Sequence, residues 1–143
     1  MPLMALSIRN QIDGKVASVV PGEVMAVVTV RLDGGGPDFT AAVTAEAVRE
    51  LGIIPGGGVT VLIKATEVSL ATAPVQGISI RNRIPGTVAG VTSGEAMASV
   101  RVVFGGGREL TAVITREALD ELGLAEGAQV VALVKATDVS LAT

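Results

Sequence analysis

The chain has 143 residues, 49 % of them hydrophobic, with 11 basic against 14 acidic side chains and a formal net charge of −3. It contains no Cys, His, Trp or Tyr and only two Phe, Phe39 and Phe104. Those absences exclude structural zinc and iron–sulfur sites, Cys–His and Ser–His–Asp catalysis, and a stacked-aromatic platform for single-stranded nucleic acid.

The mean hydropathy of +0.61 does not come from a membrane span. The longest charge-free stretches, 51–63 and 68–80, contain Pro or Gly and have 13 residues each, against the roughly 20 apolar residues that a spanning helix needs. The first six residues lack both a basic region and a full apolar stretch, so no signal peptide is read there. A cytoplasmic protein is expected, and the acidic balance argues against nucleic-acid or membrane partners.

The chain is one module written twice. Ser7-Ile8-Arg9-Asn10 recurs as Ser79-Ile80-Arg81-Asn82, and the same offset carries Gly22-Glu23 to Gly94-Glu95 and Met25 to Met97. One residue is lost at the glycine loop, after which Lys64-Ala65-Thr66 matches Lys135-Ala136-Thr137, and both copies end in Val-Ser-Leu-Ala-Thr. More than half of the aligned positions are identical, the mark of a tandem duplication. The expected division is 1–72, a linker at 73–76, and 77–143. Each module is near the lower size limit for a core of its own, so association is expected to add burial.

In chain order, Gly14–Val20 reads as a first strand, rich in β-branched residues. Val24–Leu32 alternates, with Val24, Ala26, Val28, Val30 and Leu32 on one face; the second copy keeps that register through Ala98, Val100, Val102 and Phe104. The glycine loops 34–36 and 105–107 lack the Lys-Ser/Thr of a phosphate loop and read as hairpin connections. Phe39–Val43 is a third strand. A short helix follows, with Thr44 or Thr115 as N-cap, Gly52 or Gly123 as stop, and an apolar stripe of Ala47, Val48 and Leu51. Val59–Ala65 and Val68–Ala71 complete five strands. The order is that of a small OB-like barrel, giving an all-β chain of two five-stranded barrels, each with one short helix.

Ser-Ile-Arg-Asn concentrates a hydroxyl, a guanidinium and a carboxamide, all hydrogen-bond donors, although a solvated strand entry also accounts for one such copy. The chain has three lysines, and two of them are Lys64 and Lys135 in the repeated Lys-Ala-Thr; a strand-edge lysine that discourages edge pairing is the other reading. Gly22 and Gly94 mark tight turns whose amides suit an anion if several copies meet around an axis. Asp13 and Asp33 have no acidic counterparts in the second copy, and no nucleophile–base pair is apparent, so a binding protein rather than an enzyme is expected.

Taken together, Ser-x-Arg-Asn, Gly-x-Val, Gly-Glu, the Gly-Gly loop, Thr-Ala-x-x-Thr, Leu-Gly and Lys-Ala-x-x-Val resemble the molbindin family, small Mop domains related to the TOBE domains of molybdate regulators and transporter ATPases. The resemblance covers 7–72 and 79–143, with Ile8 and Ile80 in place of the usual Ala and Ala47 and Ala118 where Ser is common. It implies two OB-like modules, a homotrimer of two-module chains, and molybdate or tungstate bound as the intact oxyanion with no catalytic cofactor. It implies a pocket class from Ser7, Arg9, Asn10, Lys64, Ala65 and Thr66, and the equivalent Ser79, Arg81, Asn82, Lys135, Ala136 and Thr137, with Thr44 and Thr115 contributed by a neighbouring module. A second class of site, on the symmetry axis, would involve Val20, Gly22, Thr92 and Gly94. The implied role is storage or buffering, the alternative being a molybdate-responsive module acting on another protein.

Overall fold

A computed structural model describes residues 5–143. The chain runs β1 (Asn10–Val20), β2 (Met25–Leu32), β3 (Phe39–Thr44), α1 (Ala45–Leu51), β4 (Gly58–Ile63), a 3-10 turn (Ala65–Glu67) and β5 (Ser69–Ala71). The same order repeats as β6 (Asn82–Ser93), β7 (Met97–Phe104), β8 (Arg108–Thr115), α2 (Arg116–Leu122), β9 (Gln129–Val134), a 3-10 turn (Ala136–Asp138) and β10 (Val139–Ala142). The strands form two curled antiparallel sheets of five, as the OB-like reading expects.

The fifth strand of each sheet comes from the other half. The orders are β10-β4-β1-β2-β3 and β5-β9-β6-β7-β8. Val139 lies opposite Ile63 and Leu141 opposite Val61, while Ser69 lies opposite Leu133 and Ala71 opposite Val131. The reason is local. Lys64 and Ala65, expected as the end of a strand, instead begin a 3-10 turn closed by Glu67 N–H donating to Lys64 O at 2.9 Å. Lys64 enters the turn and Val68 leaves it with extended backbone, and the chain runs on into the neighbouring sheet rather than folding back on β4.

β1 is longer than expected because it serves two neighbours: residues 10–15 pair with β4 and 14–20 with β2. A bulge between Val16 and Ser18, repeated between Val88 and Gly90, bends the strand from one partner toward the other. At the overlap only glycine fits, since a Cβ on Gly14 would stand 2.6 Å from Arg31 O and one on Gly86 2.6 Å from Val103 O.

The β2 alternation holds, with Ala26, Val28, Val30 and Leu32 buried and Met25 and Val27 outward. Val24 precedes the strand and is 75 % exposed. Thr44 and Thr115 cap the helices, each accepting from the amide three residues on at 3.1 Å, and Gly52 and Gly123 stop them with φ near +60°. The expected helix stripe is only partly buried: Leu51 is exposed, and Ile53, whose N–H reaches Val48 O, takes the core position after the stop. One apolar cluster joins the halves, and Phe39 and Phe104 pack within it at 6.5 Å.

Candidate functional site

The start of each repeat is fixed to the opposite half by an asparagine. Asn10 Nδ2 donates to Thr111 O at 2.8 Å and its Oδ1 accepts from Thr111 N–H at 2.7 Å. Asn82 does the same to Thr40, at 2.8 and 2.7 Å. Both amides are buried, 4 % and 2 % exposed. A carboxamide is the side chain that satisfies a strand's N–H and C=O together, so these two residues build the site's frame and line neither pocket. Behind them, Gln11 Nε2 donates to Ile8 O, and the guanidinium of Arg83 ties Val75, Ile78 and Ile80 through their carbonyls.

The frame sets Ser-Ile-Arg against Lys-Ala-Thr of the same repeat, because Asn10 pairs with Ile63 and Asn82 with Val134, the last residues of β4 and β9. Ser7, Ile8, Arg9, Lys64, Ala65 and Thr66, together with Val113 of β8, line an open pocket of about 320 Å³. Ser79, Ile80, Arg81, Lys135, Ala136 and Thr137 line its counterpart of about 350 Å³. Ser7, Arg9, Lys64 and Thr66 are exposed, as are Ser79, Arg81, Lys135 and Thr137. Among the described residues none of these four cations pairs with a carboxylate; the four ion pairs found lie elsewhere. Each pocket therefore offers two cations that take part in no ion pair, and two hydroxyls, with no acid in its own lining. That donor set suits a small, doubly charged oxyanion, through charge-assisted hydrogen bonds.

Thr44 and Thr115 are exposed helix caps and line neither pocket. Val20, Gly22, Thr92 and Gly94 are exposed at the ends of the β1–β2 and β6–β7 hairpins. Strand exchange creates a neighbour that the repeat pattern did not disclose. Lys64, Glu67, Thr137, Asp138 and Ser140 share a third cavity of about 170 Å³, with the second repeat's turn seated beside the first repeat's lysine. The nearest sequence signal is the identical Lys-Ala-Thr ending, which is compatible with exchange and with self-pairing alike. The glycine loops meet as well: the guanidinium of Arg108 donates to Asp33 and Gly35 carbonyls, and a Cβ on Gly105 would lie 2.8 Å from Gly36 Cα. No helix among the described residues is long and apolar enough to cross a membrane.

The chain is 39 % identical over 137 residues to the molybdenum-pterin-binding protein MopB of Rhodobacter capsulatus, covering 95 % of this chain and 50 % of that protein. It is 34 % identical over 137 residues to the transcriptional regulator ModE of Yersinia pestis, covering 96 % of this chain and 52 % of the regulator. The chain thus spans about half the length of the curated relatives it matches. Its fold superposes on a crystal structure of the cytoplasmic molybdate-binding protein ModG with molybdate bound, at a TM-score of 0.94 and 38 % identity, covering 98 % of this chain and 99 % of that one. The TOBE domain model matches twice, over 6–70 and 78–141, once for each repeat and nearly the whole sequence. The chain belongs to the TOBE domain family, as a tandem of two such domains.

Proposed function

We propose that the protein binds molybdate, and tungstate as its close chemical analogue, and stores or buffers the unchanged oxyanion in the cytoplasm. The observation that carries this reading is the pair of equivalent pockets, each with an Arg, a Lys and two hydroxyls free of carboxylates. They occur in a chain 38 % identical, along nearly its full length, to a cytoplasmic protein crystallised with molybdate. Ser7, Arg9, Lys64 and Thr66 hold one anion, with the amides of Ala65 and Thr66 at the start of the 3-10 turn. Ser79, Arg81, Lys135 and Thr137 hold the other, beside Ala136. Asn10 and Asn82 position these groups. Selection against sulfate follows from size, because molybdate has longer metal–oxygen bonds and a stiff donor set contacts the smaller anion poorly. No acid–base or redox group is required.

The pockets are open on one side, and closure falls to further copies in a homotrimer, with Thr44 and Thr115 reaching a neighbour's anion and the turns at Val20, Gly22, Thr92 and Gly94 lining axial sites. Exposed apolar side chains support this assembly: Val20, Val24 and Ile54 are 62 %, 75 % and 63 % exposed. A molybdate-responsive module acting through another protein is the second reading, favoured by the likeness to a regulator.

Equilibrium dialysis tests the proposal. Several molybdates per assembly and much weaker sulfate uptake are expected; equal affinity for the two anions overturns the selectivity argument.

A further inference from the structure

The two pockets share a donor set and a clamp but not a wall. Asn10 and Asn82 hold Thr111 and Thr40 with the same pair of hydrogen bonds and the same distances, 2.8 and 2.7 Å. The main chains of β8 and β3 are therefore set equally against the two Ser-Ile-Arg segments. Two residues beyond each clamped threonine, on the same strand face, β8 carries Val113 and β3 carries Ala42. Val113 lines the pocket of Ser7, Arg9, Lys64 and Thr66. Ala42 is absent from the lining of the other pocket.

We infer that Val113 is a specificity-determining wall residue, which makes the first-repeat pocket the tighter oxyanion site, while Ala42 leaves the second-repeat pocket looser, so that one chain carries two non-equivalent sites. The inference rests on the reading that these pockets take molybdate. The cations and hydroxyls come from the Ser-Ile-Arg and Lys-Ala-Thr segments, so the facing wall decides whether the anion can retreat and keep a water. The two γ-methyls of valine occupy that space, exclude the water and lower the local dielectric, which strengthens the charge-assisted bonds. Alanine leaves the space wet.

The test is calorimetric titration of molybdate into Lys135→Ala, which weakens the second pocket and leaves the first, and into Lys64→Ala, which does the reverse, the axial sites being common to both variants. Lys135→Ala is expected to retain a Kd about 10-fold lower than Lys64→Ala, the scale on which one or two methyl groups act in a shaped pocket. Adding Val113→Ala to Lys135→Ala should raise its Kd toward the Lys64→Ala value. Adding Ala42→Val to Lys64→Ala should lower its Kd, a gain that partial unfolding does not produce. Equal affinities in the two lysine variants, or failure of either second substitution to act in its stated direction, overturns the inference. Uptake by the unaltered protein with two equal pockets sinks this inference alone, whereas no molybdate uptake by that protein sinks the molybdate reading with it.

Discussion

Asn82 is 2 % exposed, and its amide satisfies both polar groups of Thr40 across the boundary between the halves. Asn82→Ala removes both bonds and leaves a buried N–H and C=O without partners, at about 2–3 kcal/mol in total. The urea midpoint should fall accordingly, and a shift below the scatter of surface substitutions would mean that the clamp carries no stability. Asn82→Asp should cost more, because a carboxylate keeps the acceptor but faces the Thr40 carbonyl and buries a charge. Ser-Ile-Arg-Asn was legible in the sequence as a donor-rich repeat. The separate task of its asparagine was not, because the partner lies 42 positions away in one copy and 101 in the other.

At the level of elements, the exchanged fifth strands decide what a half can do alone. Residues 5–72 would present β4 with one edge unpaired and β5 with no sheet of its own, since β4 is completed by β10 and β5 pairs with β9. An exposed apolar edge is a template for pairing with another chain. The isolated half is therefore expected to run as a dimer formed by reciprocal exchange, or to be unfolded, in size-exclusion chromatography with circular dichroism. A folded monomer would show that β5 can turn back onto its own β4. Strand positions, caps and stops were legible because alternation, threonine and glycine act locally. The turn after Ile63 was not, because Lys64-Ala65 suits a strand and a 3-10 entry equally.

For the whole molecule, the duplication supplies an internal comparison. Val20, Val24 and Ile54 are exposed in the first half, where the second has Thr92, Ala96 and Ala125. The proposed assembly buries this first-half surface, so Val24→Glu should lower the mass seen by native mass spectrometry while leaving the far-ultraviolet spectrum unchanged. Retention of the full assembly would place the interface elsewhere. With no histidine in the chain, no side chain of ordinary neutral titration is available to the site, and molybdate affinity should be nearly flat from about pH 6 to 8. A steep loss across that range, measured by calorimetry in matched buffers, would mean that other donors hold the anion.

The sequence by itself determined the duplication, the strand and helix order, the absence of thiol and imidazole side chains, and the donor-rich Ser-Ile-Arg-Asn and Lys-Ala-Thr repeats. Each of these depends on residue type and short spacing, such as the alternation of Ala26, Val28, Val30 and Leu32 or the cap at Thr44. The tertiary structure alone decided that β5 and β10 change places, that Asn10 and Asn82 are consumed as clamps, and that Val113 of one half stands against the pocket of the other. These depend on contacts between residues far apart in the chain. Two nearly identical halves make the self-paired and exchanged arrangements equivalent in pattern, and only the path of the backbone after Ile63 and Val134 separates them.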